Sequence, residues 1–162
     1  MKNTKRGFTL IELLIAVSII AILAALGLSV YRSVYKSARD AKRTSDLRFI
    51  QSALEQYHAD QKYYPTLNPG GSCTKDGRFK AGCPLTDPTG GKTYLNKIPD
   101  DPIQTEEYRY DAKPGGPQSC DNTPNKKCST YCIFACLERT PSSPMPDGCS
   151  TNGCYNFALT PP

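Results

Sequence analysis

The 162 residues predict an α+β fold: one long N-terminal helix packed on a small antiparallel sheet with disulfide-linked loops. Three observations point there. All 14 prolines and all eight cysteines follow Tyr64, as do ten of the 12 glycines. Residues 8–30 form an apolar run whose only charge is Glu12. Beyond Pro65, short aromatic and β-branched stretches alternate with Pro, Gly and Asn, the pattern of short strands joined by turns. The mean hydropathy of −0.48 averages these unlike halves and describes neither.

The apolar run, Phe8 to Val30, is 23 residues long. As a helix it spans about 34 Å, enough to cross a hydrocarbon core of about 30 Å. Lys2, Lys5 and Arg6 precede it. A short basic flank stays on the cytoplasmic side, so the segment reads as one transmembrane helix, N-terminus in and C-terminus out. A secretory signal peptide is the alternative, but its apolar region is about 7–15 residues and ends at a small-residue cleavage site. Here Ala24, Ala25 and Gly27 lead into more helix, and no cysteine lies near the run to suggest a lipid anchor.

Glu12 needs a reason to be there. A carboxylate at mid-membrane costs about 2.5–3.5 kcal/mol, less near the helix end, and marks a functional site with a partner to be named. A cut after Gly7 would create an α-amino group on Phe8, about 6 Å along the axis from Glu12. Pairing within one subunit and pairing between neighbours are both open to it.

The stretch Arg6-Gly7-Phe8-Thr9-Leu10-Ile11-Glu12-Leu13-Leu14-Ile15 resembles the class III signal sequence of type IV pilins and type II secretion pseudopilins. The resemblance implies a type IV pilin-like fold and four segments: a cytoplasmic leader at 1–7, removed; a transmembrane half-helix at 8–30; an amphipathic half-helix at 31–64; and an extracytoplasmic cysteine-rich head at 65–162. It implies that a membrane prepilin peptidase cuts after Gly7 and methylates the new terminus at Phe8. It also implies that Glu12 meets the N-terminal amine of an adjacent subunit as the filament forms. The partners it implies are the peptidase, copies of the chain and other pilins, an inner-membrane assembly platform with its ATPase, and the bilayer before assembly. The location is then a single-pass inner-membrane protein, later an extracellular or periplasmic filament.

The second half of the helix should run from Tyr31 to about Ala59. Tyr31, Val34, Tyr35, Ala38 and Ala41 share one face; Leu47, Ile50, Leu54 and Tyr57 share another. That offset suits either a helix that changes partners partway or an irregular amphipathic helix. From Phe8 the whole helix would measure about 80 Å, too long for its own head to cover. Gly27 is its soft spot, about 1 kcal/mol worse than alanine, and loosening there in the filament is expected. Pro65 ends it, since the residue before proline is pushed out of helical geometry. The stretch Lys42–Tyr57, then Tyr64-Pro65, Tyr94-Leu95 and Ile98-Pro99-Asp100-Asp101-Pro102, resembles pseudopilins and related Gram-positive-type pilins. Past residue 111 the likeness fades.

In the head, Glu107–Asp111, Ser129–Glu138 and Tyr155–Thr160 are the strand candidates, with Tyr108 and Tyr110 on one face. Residues Asn68–Gly91 and Lys113–Lys127 read as loops. A head outside the cytoplasm favours disulfides among Cys73, Cys83, Cys120, Cys128, Cys132, Cys136, Cys149 and Cys154, which allow 105 connectivities. Cys73/Cys83 and Cys149/Cys154 are spaced to close local loops. On a strand, Cys128, Cys132 and Cys136 lie about 13 Å apart in turn and need partners elsewhere. Zinc is disfavoured: no Cys-x-x-Cys occurs and the lone histidine is His58. Asp100, Asp101, Asp111 and Asp147 are candidate calcium ligands by analogy with major pseudopilins, but they read better as turn aspartates; no metal or other cofactor is expected.

Without Lys2, Lys5 and Arg6 there are 17 basic and 15 acidic side chains, too even a balance to argue for nucleic acid. No nucleophile elbow or phosphate loop is present, so no catalytic residue is assigned and the chain reads as a non-enzyme. Its expected function is a structural filament subunit of a pilus or secretion pseudopilus. The alternative is a scarce minor pilin or a membrane-anchored binding module gripping a surface, DNA or a secreted substrate. Tyr64-Pro65 and the Pro-Asp-Asp-Pro turn lean toward pseudopilins; the cysteine-rich tail leans away.

Overall fold

A computed structural model describes residues 7–66, 74–75, 78–103, 107–114, 120–124, 126–141, 143–149 and 154–162, with backbone only for Ser29, Thr74, Lys75, Arg78 and Pro114. The first element is helix α1, Leu10–Gln61, 52 residues. It continues unbroken through Gly27 in the single chain. The helix ends two residues beyond the expected Ala59. Lys62 turns it off in the left-handed region, φ 66°. Its N–H donates to the His58 carbonyl at 2.8 Å, and its Nζ donates to the Ala59 carbonyl at 2.8 Å. Glycine is the usual residue at such a cap; here the lysine's own ammonium serves the open carbonyls.

The chain divides into two compact units, one ending at Ala38 and one spanning Arg39–Pro162. In the first, every residue whose side chain is described is exposed except the half-buried Ser37. The large apolar ones range from Phe8, 91% exposed, to Tyr35, 49% exposed.

In the second unit α1 buries one stripe, Leu47, Ile50, Ala53, Leu54 and Tyr57, the face expected from the spacing. Its first four members pack with Tyr64, Phe79, Leu85, Leu95, Ile98, Tyr108, Tyr110, Tyr131 and Ile133 in one core, and the Tyr57 ring meets Tyr63 and Tyr94. The main sheet contains β1 (Thr74–Lys75), β2 (Arg78–Phe79), β5 (Arg109–Pro114), β6 (Cys128–Ala135) and β7 (Phe157–Leu159). Its order is β1-β2-β5-β6-β7, and every pairing is antiparallel. A separate ribbon joins β3 (Leu85–Thr86) to β4 (Thr93–Leu95). Strand β6 lies between β5 and β7, and five of its eight residues, Tyr131 to Ala135, are buried in succession. Three tyrosine hydroxyls tie strands and turns to carboxylates on α1. Tyr108 donates to Asp46 at 2.7 Å, and Tyr131 and Tyr64 donate to Glu55 at 2.8 and 3.0 Å.

The three longer strand candidates all exist, with shifted ends. Tyr108 and Tyr110 both enter the core, as expected. The two loop assignments need correction. Residues 68–91 hold β1, β2 and β3, and β5 runs to Pro114, inside the expected second loop. Two-residue strands are too short to show an alternating pattern. Backbone bonds hold them instead, such as Phe79 N–H to the Tyr108 carbonyl at 2.8 Å.

The cysteines pair as Cys120–Cys128, Cys132–Cys149 and Cys136–Cys154. The three β6-region cysteines thus find partners elsewhere, as strand geometry requires. The local pair Cys149/Cys154 is wrong: each of these cysteines instead crosses to the strand region and fastens the C-terminal segment there. Cys83 is also disulfide-bonded; its expected partner, Cys73, lies outside the described residues.

Candidate functional site

The N-terminal site is built by the start of α1. Gly7, Phe8 and Thr9 precede the first helical turn, and an added Cβ at Gly7 would meet nothing within 4 Å. Thr9 and Glu12 close on each other. Glu12 Oε2 accepts the Thr9 N–H at 2.9 Å and the Thr9 hydroxyl at 2.8 Å, while the Glu12 N–H donates to Thr9 Oγ1 at 3.3 Å. This is a capping box, in which residues three apart satisfy two of the four unpaired N–H groups at a helix start. Thr-x-x-Glu was readable in the sequence and was missed as a cap, because Glu12 was weighed only as a membrane carboxylate. The helix that follows is long and apolar enough to cross a membrane, with none of its most apolar stretch buried by the chain itself.

The second unit carries a buried ionic cluster that sequence reasoning did not find. Arg43 is 2% exposed. Its Nε and Nη2 donate to the two oxygens of Asp101 at 2.6 and 3.0 Å, a bidentate pair. Its Nη1 donates to Asp40 at 3.0 Å and Glu138 at 3.3 Å. Arg39 grips Glu138 with two bonds, 2.5 and 2.6 Å. Asp40 also accepts the N–H groups of Glu138 and Arg139. One turn of α1 is thereby locked to two distant segments, the Pro99–Pro102 turn and the chain after β6. The usable signal was an Arg39-Asp40-x-x-Arg43 run on a helix and an aspartate between prolines, but neither names its partner.

This cluster settles the acidic turn. Asp101, offered as a possible calcium ligand, is committed to Arg43 and accepts the Ile103 N–H at 2.9 Å. Asp100 lies 3.3 Å from Lys97 and Asp111 3.8 Å from Lys113; Asp147 sits in the turn with Gly148. Among the described residues no three His, Cys, Asp or Glu side chains gather as a metal would need. A depression of about 230 Å³ lies between Phe79, Pro99, Asp101 and Tyr108, below the usual ligand-pocket range of about 300–1,000 Å³.

The Arg39 guanidinium holds the Glu138 carboxyl down, from the ordinary 4.5 to about 2. A depressed carboxylate stabilises the fold above its unfolded value and loses that contribution as pH falls through the folded one. Thermal unfolding between pH 5 and 2 should therefore show a steep acid-side loss. Glu138→Gln should flatten that slope; an unchanged slope in the variant would remove Glu138 as its source.

Comparison with known proteins agrees with the site. The model of the Prokaryotic N-terminal methylation motif matches residues 2–28. The chain is 31% identical over 100 residues to the type II secretion system core protein G of Escherichia coli (strain K12), covering 62% of this chain and 68% of that one. It is 31% identical over 101 residues to the core protein G of Aeromonas hydrophila, covering 62% and 69%. The type IV major fimbrial protein FimA of Dichelobacter nodosus is 36% identical over 88 residues, covering 53% and 56%. No solved structure matches. The fold, the motif and these relatives define one class: the chain belongs to the family of type IV pilins and type II secretion pseudopilins.

Proposed function

We propose that the chain is a structural subunit of a pilus-like or secretion-pseudopilus filament, processed after Gly7 by a prepilin peptidase, methylated on Phe8, and polymerised from the inner membrane with its head outside the cytoplasm. The observation that carries this reading is the exposure of every large apolar side chain from Phe8 to Tyr35, on a helix that opens with Glu12. Lipid covers such a surface before assembly, and sister helices cover it afterwards. The peptidase, the assembly platform with its ATPase, and the other subunits are the partners this function requires.

Thr9 has a part in it. In the single chain its N–H and hydroxyl satisfy Glu12, which lowers the cost of carrying a carboxylate into the membrane. During assembly the amine of a neighbouring Phe8 takes over one carboxylate oxygen. Thr9→Val should loosen the first turn by about 1 kcal/mol. Amide exchange at Leu10–Leu13 should quicken accordingly; unchanged protection there would contradict the cap's role.

The test of the function is abundance in filaments, sheared from the surface or released from the periplasm. A structural subunit dominates that fraction. A chain present only in trace amounts would be a minor or tip subunit, and a chain that stays entirely in the membrane would contradict the proposal.

A further inference from the structure

The order of the disulfides along the chain has a chemical consequence. The six described pairing cysteines run Cys120, Cys128, Cys132, Cys136, Cys149, Cys154. Joining neighbours in that order gives Cys120–Cys128, Cys132–Cys136 and Cys149–Cys154. The structure keeps the first and interleaves the others, as Cys132–Cys149 and Cys136–Cys154. We infer that the head needs a disulfide isomerase, a protein with a reactive thiolate that shuffles bridges, in addition to a thiol oxidase. This inference rests on the reading that the head leaves the cytoplasm.

The order of emergence favours the wrong bridge. A head that crosses the membrane N-terminal end first exposes Cys132 and Cys136 together. Cys149 follows Cys136 by 13 residues, a delay of about 1–3 s at about 5–20 residues per second. Disulfides form in seconds to hours, so emergence order gives Cys132 and Cys136 only a short head start, and their closeness along an unfolded chain decides the rest. A bridge across four residues closes readily in an unfolded segment.

The folded state cannot keep it. Cys132 lies inside β6 and Cys136 directly follows its last residue, Ala135. Four residues of extended strand put them about 13 Å apart, far beyond the reach of one disulfide. A Cys132–Cys136 bridge therefore prevents β6 from extending between β5 and β7, where Asp111 faces Cys132 and Ala135 faces Phe157. The longest strand of the sheet and its pairing to both neighbours are lost with it, and the mispaired chain cannot fold its way out.

Exchange resolves this without net oxidation. The isomerase thiolate attacks Cys136 Sγ, forming a mixed disulfide and releasing the Cys132 thiolate. That thiolate attacks Cys149 Sγ in the Cys149–Cys154 bridge, making Cys132–Cys149 and releasing the Cys154 thiolate. Cys154 then attacks Cys136 Sγ in the mixed disulfide, making Cys136–Cys154 and returning the isomerase thiolate. Two protein bridges enter and two leave.

The experiment expresses the full chain in two hosts, both with a periplasmic thiol oxidase and only one with a disulfide isomerase. Thiols are blocked with N-ethylmaleimide and the bridges mapped by mass spectrometry without reduction. The isomerase host should yield Cys132–Cys149 and Cys136–Cys154. The other should yield mostly Cys132–Cys136 and Cys149–Cys154. The double variant Cys136→Ser with Cys154→Ser, which leaves Cys132 and Cys149 consecutive, should form its remaining bridge equally in both hosts. Native pairing at equal yield in both hosts would overturn the inference alone. All eight thiols blocked in both hosts would overturn the extracytoplasmic head, and the inference with it.

Discussion

Glu12→Leu should leave cleavage of residues 1–7 intact and abolish filaments. Leucine fits the membrane run better than glutamate, by up to about 2.5–3.5 kcal/mol, so insertion and access to the peptidase are retained. In the proposed assembly step, the filament loses the carboxylate that would receive a neighbour's amine in a medium of low dielectric. Removing one partner of such a pair costs about 3–5 kcal/mol, a hundredfold or more in each addition step at 1.4 kcal/mol per tenfold. The membrane state gains while the filament state loses, so the two effects compound. Glu12→Gln separates charge from cap. Glutamine still presents an oxygen to the Thr9 donors, so the helix start survives, and filaments should still fail. Normal filaments from Glu12→Gln would show that the charge is not what assembly uses.

Arg43→Met should destabilise the head by about 3–5 kcal/mol, the cost of stripping the partner from buried charge. It leaves the Asp101 side chain, 2% exposed, with only the Ile103 N–H, and leaves Asp40 with backbone donors alone. Glu138 is affected less, because Arg39 still holds both its oxygens. For a unit of this size the midpoint should fall by about 10–20 °C, followed by near-ultraviolet circular dichroism on detergent-solubilised chain. Arg43→Met combined with Asp101→Leu should recover most of the loss, since an apolar pair often replaces a buried ion pair at little cost. A double variant as unstable as the single one would show that the cluster acts through Asp40 and Glu138 instead.

The parts of this fold that were legible in the sequence are those set by local rules. The long helix follows from a stretch almost free of proline and glycine, and its buried stripe from the spacing of Leu47, Ile50, Leu54 and Tyr57. Cys128, Cys132 and Cys136 needed distant partners because strand geometry forbids bonds among them. The illegible parts depend on long-range meetings. Nothing around Arg43 announces that Asp101, 58 residues later, will receive it. Nothing around Cys149 distinguishes Cys132 from Cys154 as its partner until the sheet places β6. The strands β1, β2 and β3 carry two residues each, and their identity lies in backbone bonds to neighbours rather than in their own side chains. The capping box is a different case. It is local, and it was overlooked because one residue, Glu12, answers to two requirements.

The processed N-terminus is the central claim, and the intact mass of the chain recovered from membranes or filaments tests it most directly. A chain beginning at Phe8, lighter by residues 1–7 and heavier by one methyl group on the terminal nitrogen, is the expected result. A chain still beginning at Met1, or one cut near Ala24–Gly27 with the apolar run removed, would contradict it.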